Sequence, residues 1–286
     1  MPLIGRPQPA SWFIIVFGTI AKPNYTATNM LKKSKGTISE TLDKGLKILN
    51  LYCGDRSSYS LGEISRILGI SKTSVSRFVN TLCEHGYLQK GDKGRAYSLG
   101  IRTIPLAHSF LQKAEIVRNI KPYVDEIHKL HDLHIDVGLI QNNNIYLVYR
   151  RESKDTLAFL HFTAAGDLYN LATGKAAMAF MEEEQLAEFQ DRPDIKVPPG
   201  RPPIAPQTLR QELEAIKARG YSLNKETFLP GLIAIGAPVF NLHSGKVVGG
   251  VSFDSSTARF TMEAFEQKYA SLLVELAKKI SAAISV

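Results

Sequence analysis

Residues 60–86, SLGEISRILGISKTSVSRFVNTLCEHG, carry two short amphipathic patterns separated by a glycine. In the first, Ser60 and Glu63 stand three apart. At that spacing a serine hydroxyl and a glutamate carboxylate satisfy the free N–H groups of a first helical turn. Leu61, Ile64, Ile67 and Leu68 supply an apolar stripe at helical spacing, and Gly69 falls where a left-handed residue ends a helix. In the second pattern Ser71 is the N-cap, Val75, Phe78, Val79 and Leu82 form the buried side, and Gly86 closes it. Its other face is unusual for a solvated helix. Ser71, Lys72, Thr73, Ser74, Ser76 and Arg77 present small hydroxyls and positive charge, and no acid follows until Glu84.

Outward from this pair, Leu42, Leu46, Leu49 and Tyr52 mark an amphipathic helix that begins near Ile38. Downstream, YLQKGDKGRAYSL at 87–99 reads as strands at 87–90 and 95–99 around a Gly-Asp-Lys-Gly turn. Three helices followed by a hairpin is the order of a winged helix-turn-helix. Such a motif lays its second helix in the major groove of DNA. It needs short donors near the groove floor, and Lys or Arg where it reaches guanine or phosphate. The polar face of residues 71–77 meets those needs, and Lys90, Lys93 and Arg95 give the hairpin the charge of a wing. Double-stranded DNA is therefore the expected partner of this face.

The distribution of charge agrees. The chain has 286 residues and a net charge of +8, with 15 Lys and Arg against 6 Asp and Glu through residue 105, and 20 against 21 beyond it. The positive excess lies in the first third, where it attracts a polyanion. The remainder has no electrostatic reason to bind one. The length allows about two domains. Cys53 and Cys83 form no CxxC pair, which argues against a disulfide scaffold or a cysteine zinc site and fits a reducing, cytoplasmic setting. WFIIVFGTIA at 12–21 is about half the length of a bilayer span, so no membrane partner is expected. Residues 1–35, which run into the basic MLKKSKG of 30–36, are expected to be a flexible extension outside the fold.

Beyond residue 100 the periodicity changes twice. Residues 101–114 read as a helix leading into a second, EIVRNIKPYVDEIHKLHDLH, kinked or started at Pro122. HIDVGLIQNNNIYLVYR gives two alternating strands around Asn142–Asn144, and TLAFLHF a third. A short helix is expected near 173–181, an acidic one near 182–190, and another at 208–219 with Leu209, Leu213 and Ile216 on one side. GYSLNKE, LIAIGAPVFN and KVVGGVSFD read as strands, and a long helix with Phe265, Tyr269, Leu272, Leu276 and Ile280 ends the chain. The order implies an α+β fold with an antiparallel sheet.

LDKGLKILNLYCGDRSSYSLGEISRILGISKTSVSRFVNTLCEHGYLQ, followed by YSLG, resembles the DNA-binding half of the IclR family of bacterial transcriptional regulators. The resemblance continues in ATGKAAMAF, LEAIKARGYSLNKE and GLIAIGAPVFN, and covers about residues 38–286. It implies a winged helix-turn-helix domain at 36–100, a linker helix at 101–115, and a GAF-like α/β effector-binding domain at 116–286. It also implies homodimers or tetramers, a small-molecule effector, no cofactor and no catalysis. The effector positions it implies are Ala172 and Thr173 ahead of Gly174-Lys175, then Asn224, Ala234, Ser252 and Asp254. Two departures stand out. The family generally has an acid or serine where this chain has Asn224, and a glutamate where it has Thr227. An amide both donates and accepts, so the ligand preference changes while the position is kept.

Other readings were weighed against the residues. A phosphate loop ending at Gly174-Lys175 needs glycine at 169 and Ser or Thr at 176; the chain has Tyr169 and Ala176. His128, His131 and His134 would share one helix flank, a zinc arrangement only if the helix runs that far; no metal is expected. Ser252 and Asp254 alternate along a strand and so share a face. No GxSxG elbow or Cys–His arrangement supports an enzyme. A ligand-sensing adaptor whose winged helix grips protein is the alternative to DNA binding, and salt-dependent DNA binding discriminates against it. The leading expectation is a ligand-responsive regulator, repressor or activator, of a metabolic operon with an effector of the organic-acid type.

Overall fold

The computed structural model describes residues 38–53, 56–91, 94–141, 144–154, 164–165, 168–190 and 205–284. The expected extension at 1–35, Lys93 and the strand expected at 156–162 lie outside the described residues.

The first unit runs α1 (Glu40–Asn50), a 3-10 turn (Leu51–Cys53), β1 (Ser58–Tyr59), α2 (Leu61–Leu68), α3 (Lys72–Glu84), β2 (Leu88–Lys90) and β3 (Tyr97–Leu99). The cap at Ser60 forms as the spacing predicts. Its hydroxyl accepts from Glu63 N at 3.3 Å, while its own N–H donates to the Glu63 carboxylate at 2.8 Å. Gly69 is left-handed at φ +66°, and Ser71 caps α3 by accepting from Ser74 N at 3.3 Å. Ile48, Ile64, Val75, Val79 and Leu88 fill the core together with Tyr52, Tyr59 and Tyr97.

Two details differ from the sequence reading. The sheet is three-stranded, in the order β1-β3-β2, because Ser58 and Tyr59 pair with Ser98 and Tyr97; two residues are too few to display an alternation. Of the apolar stripes, Leu42, Leu46 and Ile67 stay outside, at 63%, 50% and 53% exposure.

Then come α4 (Thr103–Lys113) and α5 (Glu115–His131). α5 passes through Pro122 without a break. The backbone bond that proline removes is offset by packing: Ile120, Val124 and Ile127 are buried on either side of it, against α9 and the sheet. The sheet is built from β4 (His134–Gln141), β5 (Asn144–Arg151), β6 (Ala164–Ala165), β7 (Ser222–Lys225), β8 (Leu232–Asn241) and β9 (Lys246–Ser256). Its spatial order is β6-β5-β4-β9-β8-β7, antiparallel throughout. Helices α6 (Ala172–Met178), α7 (Glu183–Gln190), α8 (Pro206–Arg219) and α9 (Met262–Ile284) complete the order.

The alternation of each strand decides which layer it meets. Ile135, Val137, Ile233, Ile235, Val251 and Phe253 form one face and bury against α5 and α9. The residues between them, His134, Asp136, Ala234, Gly236, Ser252 and Asp254, form the other. A second apolar cluster, with Leu171, Met178, Leu186, Leu209, Leu213 and Ile216, joins α6, α7 and α8. Among the described residues no helix is long and apolar enough to cross a membrane.

Candidate functional site

The polar face of α3 is open to solvent. Ser71, Lys72, Thr73 and Arg77 are exposed, and Ser74 and Ser76 half-buried, while Val75 and Val79 anchor the opposite side. The Ser71 hydroxyl is engaged locally, as cap of the helix and as donor to Ser74 Oγ at 3.0 Å. Lys72, Thr73 and Arg77 are therefore the longer-reaching groups on this face. Lys90 and Arg95 in the hairpin are also exposed.

In the second unit, cross-strand register brings distant residues into transverse rows. Asn224 lies opposite Ala234, Ala234 opposite Asp254, and Asp254 opposite His134. The neighbouring row runs Ser222, Gly236, Ser252, Asp136 and Arg150. Residues directly opposite one another share a face. The start of α6 lies against this face, close enough that a Cβ at Gly236 would collide with the Ala172 carbonyl and one at Gly250 with that of Thr173. Ser222 Oγ donates to the Ala172 carbonyl at 2.7 Å and fixes the contact. Asn224, Ala234 and Asp254 of the first row, with Ser252 and Asp136 of the second, face a cavity beside α6.

That cavity is small, about 20 Å³, and is lined by Asp136, Asn170, Leu171, Ala172, Thr173, Asn224, Phe228, Leu232, Ala234, Ser252 and Asp254. All six positions that the resemblance implied, Ala172, Thr173, Asn224, Ala234, Ser252 and Asp254, are on its wall. The volume is room for about one water-sized group, so a larger ligand enters only as the walls move apart.

The charges beneath the cavity are paired. Arg150 holds both oxygens of Asp136, Nε on Oδ1 at 2.6 Å and Nη2 on Oδ2 at 2.5 Å. His134 Nε2 lies 3.3 Å from Asp136 and 3.7 Å from Asp254. Burial opposes ionisation of Asp136, but the Arg150 and His134 contacts outweigh it and hold the carboxyl below its ordinary pKa. Burial likewise opposes the imidazolium of His134, and the two carboxylates outweigh it, so its pKa rises. Asp254 goes the other way. Burial, with the charge of Asp136 added to it, pushes its carboxyl up to about 7.

His134, Asp136 and Asp254 each offer a ligand atom within 4.8 Å of the others. Arg150 already supplies the cation that Asp136 serves, and its charge repels a second. The three-histidine flank weighed from the sequence does not form, because α5 ends at His131. His128 instead sits 2.9 Å from the Leu133 carbonyl, the His131 ring packs edge-on against Tyr269, and His134 opens β4.

Asp136, Asn170, Phe228 and Leu232 were not singled out from the sequence. Asp136 had a local signal, since a carboxylate between Ile135 and Val137 marks a polar position on a buried strand. Asn170 and Phe228 sit in irregular segments with no periodicity to read.

A regulator of Bacillus subtilis, KipR, is 29% identical over 227 residues, covering 78% of this chain and 88% of its own. The crystal structure of the Thermotoga maritima IclR superposes with a TM-score of 0.62 at 25% identity, over 86% of this chain and 99% of that one. An IclR homologue of Microbacterium hydrocarbonoxydans, crystallised with 4-hydroxybenzoate, shares the fold with a TM-score of 0.66 at 18% identity, over 85% and 98%. Residues 41–92 match the IclR helix-turn-helix domain, and residues 108–282 the family described as bacterial transcriptional regulator IclR C-terminal. The chain therefore belongs to the IclR family of bacterial transcriptional regulators, DNA-binding proteins and not enzymes.

Proposed function

We propose that this regulator controls a metabolic operon, reading its operator with Ser71, Lys72, Thr73, Ser74, Ser76 and Arg77, with Lys93 and Arg95 on the wing. A small organic acid is its effector, bound in the cavity by Ala172, Thr173, Asn224, Ala234, Ser252 and Asp254. The domains follow as a DNA-binding unit at 36–100, a linker at 101–115 and an effector unit at 116–286, working in the cytoplasm where the operator lies. The observation that carries this reading is the convergence of six residues, spread over 83 positions between Ala172 and Asp254, on one cavity. 4-Hydroxybenzoate, the molecule bound to the Microbacterium homologue, gives a first scaffold for the ligand screen.

The protein acts as a homodimer or as a tetramer made of two dimers. Leu42, Leu46, Ile104, Leu106 and Phe110 are large apolar side chains left exposed in one protomer, and such surface is ordinarily covered by a partner. Each winged helix then takes one half of a palindromic operator. Effector changes operator affinity only through its preference for one arrangement of the DNA-binding units, and operator changes effector affinity by the same factor.

A gel-shift titration over a range of salt tests the reading. Operator binding should weaken steeply with salt, and Arg77→Ala should weaken it by about tenfold or more, the size of one lost base or phosphate contact. Ser252→Ala should raise the effector concentration needed to shift operator occupancy. Equal operator affinity for Arg77→Ala and the parent would remove α3 from the interface.

A further inference from the structure

The hydrogen bonding of Asn224 is asymmetric. Its Nδ2 donates to the Asn170 carbonyl at 2.6 Å, which settles the orientation of the amide. Oδ1 therefore points the other way. It is buried and has no hydrogen-bond partner among the described residues, in a side chain only 3% exposed that lines the cavity. Buried acceptors are ordinarily satisfied, and this one is open to a group that enters the cavity.

The rest of the wall narrows the chemistry. Both oxygens of Asp136 are held by Arg150, and Asp254 meets His134 and a hydrogen bond from Ser252. Leu171, Ala172, Phe228, Leu232 and Ala234 are apolar. His134 and Arg150 balance the two aspartates, so the floor has no excess negative charge to hold an ammonium. A carboxylate oxygen facing Asn224 Oδ1 would set acceptor against acceptor. The group required there is a neutral donor.

We infer that the effector presents a hydroxyl to Asn224 Oδ1, and that Asn224 makes this protein select a hydroxylated small acid over its deoxy counterpart. The inference rests on the reading of the cavity as the effector site. A site built to pair with a ligand hydroxyl rejects the analogue that lacks it, because the buried acceptor is then left without a partner.

The test is calorimetric titration of the full chain with matched acids: lactate with propionate, 3-hydroxybutyrate with butyrate, and 4-hydroxybenzoate with benzoate. The parent should bind the hydroxylated member of at least one pair about tenfold or more tighter than its partner. In Asn224→Leu, which keeps the shape and removes the acceptor, the two should come within about threefold. Equal binding of both members by the parent overturns this inference and leaves the cavity as an effector site. A preference that survives in Asn224→Leu overturns the assignment to Asn224. Failure of every acid to bind a parent that still shifts its operator overturns the organic-acid reading and this inference with it.

Discussion

Asp254 sits between Ala234 and His134 on one transverse row, with Asp136 near enough to discourage a second negative charge. Burial first, and Asp136 after it, raise its carboxyl from an ordinary 3.8 to about 7. The sign of the linkage follows from proton counts. Between pH 4 and 7 the unfolded chain has released this proton while the folded chain keeps it. Stability therefore falls as pH rises through that window and levels off above it. His134, with its raised pKa, adds a loss of the same sign once pH passes its ordinary value. Asp136 is opposite, since its depressed carboxyl stabilises above the ordinary range and the gain is lost in acid. Asp254→Asn removes the first contribution. Its melting temperature relative to the parent should climb from pH 4.5 to 7 and then stay level. A difference that does not change with pH would mean that Asp254 titrates normally in the fold.

At the scale of elements, the position of α6 decides whether a cavity exists. Gly236 and Gly250 let it approach the sheet, and Lys175 ties its far side to α8. Lys175 is buried, with its ammonium 2.8 Å from Glu212 and 4.5 Å above the Tyr169 ring, whose hydroxyl bonds the same carboxylate at 2.5 Å. A buried charge that keeps its position after losing its partner costs more than one removed with it. Glu212→Gln is therefore expected to lose on the order of 3 kcal/mol in urea unfolding, and Lys175→Met clearly less. Equal losses for the two would show that the pair is not the tie. Helix starts and ends were legible because their chemistry is local: the box at Ser60 and Glu63, the left-handed turns at Gly69 and Gly220, the stripe of Leu209, Leu213 and Ile216. Continuity of α5 through Pro122 was not, since its support comes from α9, far along the chain.

At the scale of the molecule, the exposed apolar side chains predict assembly. Leu42 and Leu46 recur four apart, as the sequence reading of α1 expected, yet in one protomer they cover nothing. Phe110 of α4 is 58% exposed. Charge placed in a protein–protein contact costs several-fold to hundredfold in affinity when it is left unpaired. Leu42→Glu and Phe110→Glu should shift light-scattering mass toward the monomer, and should weaken operator binding because the two half-sites are no longer held by one particle. Variants that keep the parent's mass at micromolar concentration would place the interface elsewhere.

The sequence by itself determined the local features of this protein. The order of helices and strands, the caps, the cationic polar face of α3 and the division of charge at residue 105 all depend on neighbours within a few positions. Motif resemblance then carried the cavity positions from Ala172 to Asp254. Only the tertiary structure decided that Asp136 joins them, that Arg150 and His134 neutralise the floor, and that the oxygen of Asn224 has no hydrogen-bond partner among the described residues. Those outcomes depend on strand register and on how closely α6 approaches the sheet. Register is set by which face of each strand is buried against the others, a property of the assembled layers that no single stretch of chain contains.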